Sequence, residues 1–68
     1  MVEIGSYWKD DKGLVGVVKS YPMEDYYSVL FDDGFVHQMY KTTLTYLHER
    51  ITEEEYKRAR INRKLKNG

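Results

Sequence analysis

Tyr26-Tyr27-Ser28-Val29-Leu30-Phe31-Asp32-Asp33-Gly34, continuing into Phe35-Val36-His37-Gln38-Met39-Tyr40, is the stretch that decides the fold. Its first half alternates, with Tyr27, Val29 and Phe31 on one side and Tyr26, Ser28 and Leu30 on the other, which is the period of a β-strand. Asp33-Gly34 has the chemistry of a two-residue hairpin turn with positive φ, and β propensity resumes at once in Phe35, Val36 and Tyr40. The expectation is a curled hairpin with an aromatic at its tip, and in so short a chain that suggests a binding module.

Outward from the hairpin, further short strands are expected. Val2 to Trp8 reads as a first strand, closed by the polar loop Lys9-Asp10-Asp11-Lys12-Gly13. Leu14 to Ser20 reads as a second, in which Gly16 suits a sharp bend or a close backbone approach. Tyr21-Pro22-Met23-Glu24-Asp25 ends that strand, because proline has no N–H for a ladder. Lys41-Thr42-Thr43 reads as a short turn, with one turn of 3₁₀ helix as an option, before a last strand at Leu44 to Leu47. Five short strands with tight connections predict a mainly β fold, a small antiparallel barrel over residues 1–50.

Residues 51–68 have a different pattern. Thr52 and Glu55 form a capping box, with Ile51 and Tyr56 placed for a hydrophobic staple. Three glutamates open the segment, Lys64 and Lys66 lie near its end, and Glu53–Lys57 and Glu54–Arg58 have the favourable i,i+4 order. A helix over about 53–65 is predicted. Its apolar stripe is divided, since Tyr56 and Ala59 lie nearly opposite Ile61 and Leu65 at 100° per residue. It is expected to dock by its first turns and leave its basic end in water.

Size and composition narrow the function. A chain of 68 residues holds one domain and is too short to enclose both a large core and a buried active site. No nucleophile–base pair or phosphate loop is visible, so an enzyme is not expected. With no cysteine and no histidine cluster, stability must come from packing, and ten aromatics, seven of them tyrosine, supply the material. His37 and His48 are eleven residues apart without matching carboxylates, so neither a metal nor a cofactor is expected. Net charge is zero, but it is unevenly spread. Residues 1–50 carry eight acids and five bases, a balance of −3, and residues 51–68 carry three acids and six bases, a balance of +3. No apolar run approaches the roughly 20 residues of a membrane span, and the N-terminus lacks the apolar core of a signal peptide, so an intracellular location without membrane contact is expected.

Taken together, IGSYWKDDKG, LVGVVKSY and YYSVLFDDGFVHQMY resemble the Tudor domain family, over roughly residues 4–47. The matching positions are Trp8 at the end of the first strand, the Lys9 to Gly13 loop, Leu14 to Val18, and Val29-Leu30-Phe31-Asp32-Asp33-Gly34. The likeness is greatest to the tandem Tudor domains of Jumonji-type histone lysine demethylases, with Met39-Tyr40 standing where those carry a Leu-Tyr pair. The resemblance implies an SH3-like, Tudor-like barrel. It also implies capture of a methylated lysine or arginine of a basic peptide, such as a histone tail, in an aromatic cage. A methylammonium is poorly hydrated and prefers the negative faces of aromatic rings. Carried over, Trp8 and Phe31 match cage positions; Phe35, Tyr7 and Tyr40 are candidates for the remaining walls by proximity. Asp10, Asp11, Asp32 and Asp33 would form an acidic rim. Where many family members have an early tyrosine in the second strand, Val15 and Gly16 stand here. Two rings at about 2 kcal/mol each give roughly millimolar affinity, so flanking contacts would be needed. The reading places the protein in the nucleus if the source is eukaryotic, and in the cytoplasm otherwise.

Each of these residues also has a plain structural reading. Phe31 alternates with Val29 and Tyr27 and would close a core; Trp8 would cap a small barrel; Asp32-Asp33 would be turn chemistry. The cations Lys57, Arg58, Arg60, Arg63, Lys64 and Lys66 suit either a solvated helix or salt-sensitive contact with DNA or RNA. A protein-binding adaptor or small inhibitor using an exposed sheet edge, and a monomer or a weak homodimer through the helix, complete the alternatives.

Overall fold

The computed structural model describes residues 2–67, with side chains to Leu65. Five antiparallel strands form a curled half-barrel: β1 (Tyr7–Lys9), β2 (Val15–Met23), β3 (Tyr26–Phe31), β4 (Val36–Tyr40) and β5 (Glu49–Ile51). Helix α1 (Lys41–Leu47) links β4 to β5, and α2 (Glu53–Asn67) follows β5. The sheet order is β4-β3-β2-β1-β5, so β4 and β5 are its two edges.

Cross-strand partners share a face, which lets the register sort the side chains. Trp8, Gly16 and Phe31 stand in one row, followed by Val18, Val29 and His37 and then Tyr27 and Met39. This inner face, with Val2 and Leu44, makes the core. The outer face carries the row Ile51, Tyr7, Val17, Leu30 and Val36. Helix α2 crosses it over β1 and β2. There Tyr56 stacks on Tyr7 with centroids 4.4 Å apart, and Val15 and Ile51 are buried.

The hairpin expected from the sequence is present, but its loop has three residues. Gly34 N–H donates to the Phe31 carbonyl (3.0 Å) and Phe31 N–H to the Phe35 carbonyl (3.1 Å), and of the loop residues only Gly34 has positive φ. That is a turn closed by a glycine bulge, whereas a two-residue turn of the I′ kind needs two positive φ values. The loop after β1 repeats the pattern, with Gly13 N–H donating to the Asp10 carbonyl and Asp10 N–H to the Leu14 carbonyl.

Three expected boundaries move. The first strand is only Tyr7–Lys9, because a turn at Glu3–Ser6 with Gly5 at positive φ precedes it. β2 runs on to Met23, and Pro22 falls in a register shift between Ser20 and Met23, where no ladder N–H is required. The expected strand Leu44 to Leu47 is instead α1, and the last strand is Glu49–Ile51. The β-branched Thr45 and the aromatic Tyr46 favour a strand by propensity. Topology overrides them, since the chain must pass from the β4 edge to the opposite edge beside β1, and a helix does so while setting Leu44 fully into the core. The Thr45 hydroxyl donates to the Lys41 carbonyl at 2.9 Å, the back-bond a helical threonine makes.

Helix α2 starts as expected. Glu55 N–H donates to Thr52 Oγ1 at 3.1 Å, but the Glu55 carboxylate turns to Lys9 Nζ (3.4 Å) instead of closing the box, tying the helix to β1. Tyr56 and Ala59 are half-buried, whereas Ile61 and Leu65 face solvent.

Candidate binding surface

Trp8 and Phe31 are brought together, but inside the core. Trp8 is 5% exposed and its Nε1–H donates to Ser6 Oγ at 2.9 Å. Phe31 is 4% exposed and lies in the same row, separated from Trp8 only by Gly16. The missing side chain at Gly16 is what lets the ring settle, since a Cβ there would stand 2.8 Å from Phe31 Cδ1. The expectation of Trp8 and Phe31 as walls of an open cage is therefore corrected: both rings are packing groups, and a cation would have to displace core side chains to reach them.

The other expected walls lie elsewhere. Tyr7 neighbours Trp8 in sequence, so its ring is on the opposite sheet face, against Tyr56. Phe35 and Tyr40 are exposed at opposite ends of β4, roughly 17 Å apart at 3.4 Å per residue. Tyr40 meets Tyr26 edge to face, with centroids 4.9 Å apart. The five rings do not converge on one point.

The acidic rim is largely engaged within the chain. Asp10 Oδ1 accepts from the N–H groups of Lys12 (2.9 Å) and Leu14 (2.8 Å), and Asp33 Oδ1 accepts from Phe35 N–H (3.0 Å). The Asp32 side chain, 13% exposed, accepts from Arg60 Nε at 3.0 Å and has Arg63 Nε at 3.9 Å. Asp11 is exposed. Asp10, Asp32 and Asp33 border a cleft of about 610 Å³ between the two hairpin loops and α2, where Lys12 and Arg63 offset their charge.

The basic helix is engaged too. Besides Arg60 and Arg63, Lys57 pairs with Glu53 (3.6 Å) and Arg58 with Glu54 (2.8 Å). Lys64 faces solvent, and the Lys66 side chain lies outside the described residues. Sequence spacing did not show that His37 and His48 both reach the Phe31 ring, at 5.0 and 5.9 Å between centroids. Among the described residues no group of three or more histidines and carboxylates could hold a metal.

An open sheet edge remains at β4. It pairs only with β3, and its side chains are exposed apart from half-buried Met39. Val36 is 59% and Tyr40 62% exposed. The hydrogen bonds at the strand's two ends set its parity: Phe31 N–H donates to the Phe35 carbonyl, and Lys41 N–H to the Asp25 carbonyl. In antiparallel pairing every second residue faces the neighbour, so His37 and Met39 bond to β3. Val36, Gln38 and Tyr40 therefore turn their amides to the open edge. The β propensity of Phe35, Val36 and Tyr40 was readable, but which strand lies at the edge is a property of the topology.

No protein-family model, curated protein or solved structure matches this chain. Among the described residues no helix is long and apolar enough to cross a membrane.

Proposed function

We propose that this chain is a non-catalytic protein-binding module, an SH3-like curled barrel that adds an extended segment of a protein as a further strand on β4. The observation that carries this reading is the row Val36, Gln38 and Tyr40, whose main-chain groups point outward from an edge strand without lysine, arginine or carboxylate. Proteins protect such edges with lysine, proline, bulges or very short strands, and β4 has none of these. The opposite edge, β5, is three residues long and carries Glu49 and Arg50. In strand addition the main-chain bonds set register and orientation, and alternate side chains give selectivity. Burying a group the size of Val36 or Tyr40 contributes about 1.5–3 kcal/mol.

The reading does without methyl selectivity, because Trp8 and Phe31 are core residues. It is preferred to nucleic-acid binding because Lys57, Arg58, Arg60 and Arg63 each have a carboxylate of this chain within 4 Å. Selection from a displayed library of unstructured peptides, followed by amide chemical-shift mapping, tests it. Ligands are expected to shift Val36, Gln38 and Tyr40 most and to bind equally well with lysine unmodified or trimethylated. Shifts centred on α2, or binding only of trimethylated peptides, overturn it.

A further inference from the structure

Resting on that reading of the edge, we infer that the segment β4 takes up is β4 of a second copy, joined antiparallel about a two-fold axis through Gln38. The strand is self-complementary in this register. Gln38 meets Gln38 of the second copy, Val36 meets Tyr40, and His37 meets Met39. Val36, Gln38 and Tyr40 are the residues whose amides face outward, so each Gln38 can donate to and accept from its counterpart. Each Tyr40 N–H then reaches the carbonyl of Val36 in the other copy. A two-fold axis makes every contact occur twice. With the axis placed on His37 or Met39, only two of the three outward-facing residues would find outward-facing partners within the strand.

The side chains fit the same axis. Pairing an aromatic with a β-branched residue across strands is favourable, and the Val36–Tyr40 pair occurs on both sides of the axis. On the outer face, Met23, Tyr26 and Tyr40 form one row. Joined at the axis, this row continues into Val36, Leu30 and Val17 of the second copy, so the exposed Met23 and Tyr40 become part of a longer apolar surface. No like charges oppose each other within the strand. Lys41 follows Tyr40 and is exposed, with no ion pair among the described residues, and antiparallel pairing brings it to the Asp33 end of the other copy.

The test is the mass in solution over a concentration series, measured for the whole chain by light scattering and sedimentation equilibrium. The wild type is expected to reach twice the chain mass. Gln38→Pro is expected to be monomeric with an unchanged circular dichroism spectrum, because the lost N–H faces outward and an edge strand tolerates proline there. Gln38→Lys, which keeps the N–H and opposes two like charges, is expected to be monomeric as well. The chain has no cysteine, so Gln38→Cys gives a direct probe. Cα atoms about 5.5 Å apart at the axis lie within disulfide reach, and oxidation is expected to cross-link Gln38→Cys roughly tenfold faster than Ile61→Cys. A wild type that stays monomeric overturns the inference. So does a dimer that survives both Gln38 variants and cross-links faster through Ile61→Cys. If the wild type is monomeric while library peptides shift the β4 amides, only the self-pairing fails; if those shifts lie elsewhere, the edge reading fails with it.

Discussion

The Phe31 ring lies against Gly16 so closely that a Cβ on the glycine would stand 2.8 Å from Phe31 Cδ1 and 3.0 Å from the Leu30 carbonyl oxygen. Elsewhere in a strand, Gly→Ala gains roughly 0.5–1 kcal/mol by reducing the freedom of the unfolded chain. Here the methyl meets a buried ring and a main-chain oxygen, neither of which can move freely. Gly16→Ala is therefore expected to lower stability by about 1–3 kcal/mol, the cost of overpacking, read from the midpoint of urea unfolding. A midpoint equal to or above wild type would show that Phe31 is free to yield.

Trp8 has its own prediction. The Ser6 hydroxyl accepts from Trp8 Nε1–H (2.9 Å) and donates to the Glu3 carbonyl (2.6 Å). Ser6→Ala leaves a buried indole N–H without a partner, at a cost of about 1–3 kcal/mol. In a background carrying Trp8→Phe that donor is absent, so Ser6→Ala should cost measurably less. Additive losses would mean that the bond contributes nothing. Trp8 fluorescence should also resist quenching by acrylamide and stay unchanged when methylated peptides are added, since the ring is core.

The β3–β4 hairpin was legible because alternation over Tyr26 to Phe31 is a local property, and so was α2, whose Thr52 cap and glutamate-rich first turn are local as well. The resemblance read from the sequence set Phe31 and Trp8 together, and the register does place them on one face. The strand pattern could not show whether that face opens to solvent, because this depends on Leu44 and Val2 arriving from distant parts of the chain to close the core. The same limit explains α1. Lys41 to Thr43 read as a turn and Leu44 to Leu47 as strand until the sheet order forces the chain to cross from one edge to the other. Asp32 looked like turn chemistry or a binding rim, and its partnership with Arg60 spans 28 residues of sequence that no local pattern bridges.

That partnership holds the far half of α2 to the β3–β4 loop. Asp32→Asn keeps the shape and removes the charge that Arg60 and Arg63 meet. Asp32 is mostly buried while the arginines are partly exposed, so the cost should fall between exposed and buried pairs, at about 1–2 kcal/mol. Amide exchange should speed up over Ala59–Leu65 and stay unchanged in β3. Added salt should weaken the wild type more than the variant. Equal exchange over α2 in both proteins would show that Tyr56 on Tyr7 is sufficient to dock the helix.

Two groups give stability a pH dependence of opposite sign. Glu3 is hydrogen-bonded to the Arg50 guanidinium, which holds its carboxyl below the ordinary value against the opposing effect of desolvation. Its contribution is present above the unfolded pKa and is lost as pH falls through the lowered folded value. Tyr27 is displaced upward, first by burial and then by the neighbouring Tyr21 and Asp25. The unfolded chain then gives up the Tyr27 proton before the folded chain does. Its contribution is present below about pH 10 and is lost as pH rises through the raised folded value. Urea midpoints across pH should therefore fall at both ends. Glu3→Gln should flatten part of the acid limb only, by a small amount because the pair is exposed, and Tyr27→Phe should flatten part of the alkaline limb only. If Tyr27→Phe leaves the alkaline slope as steep as wild type, the Tyr27 hydroxyl is better solvated than its place beneath Tyr21 implies.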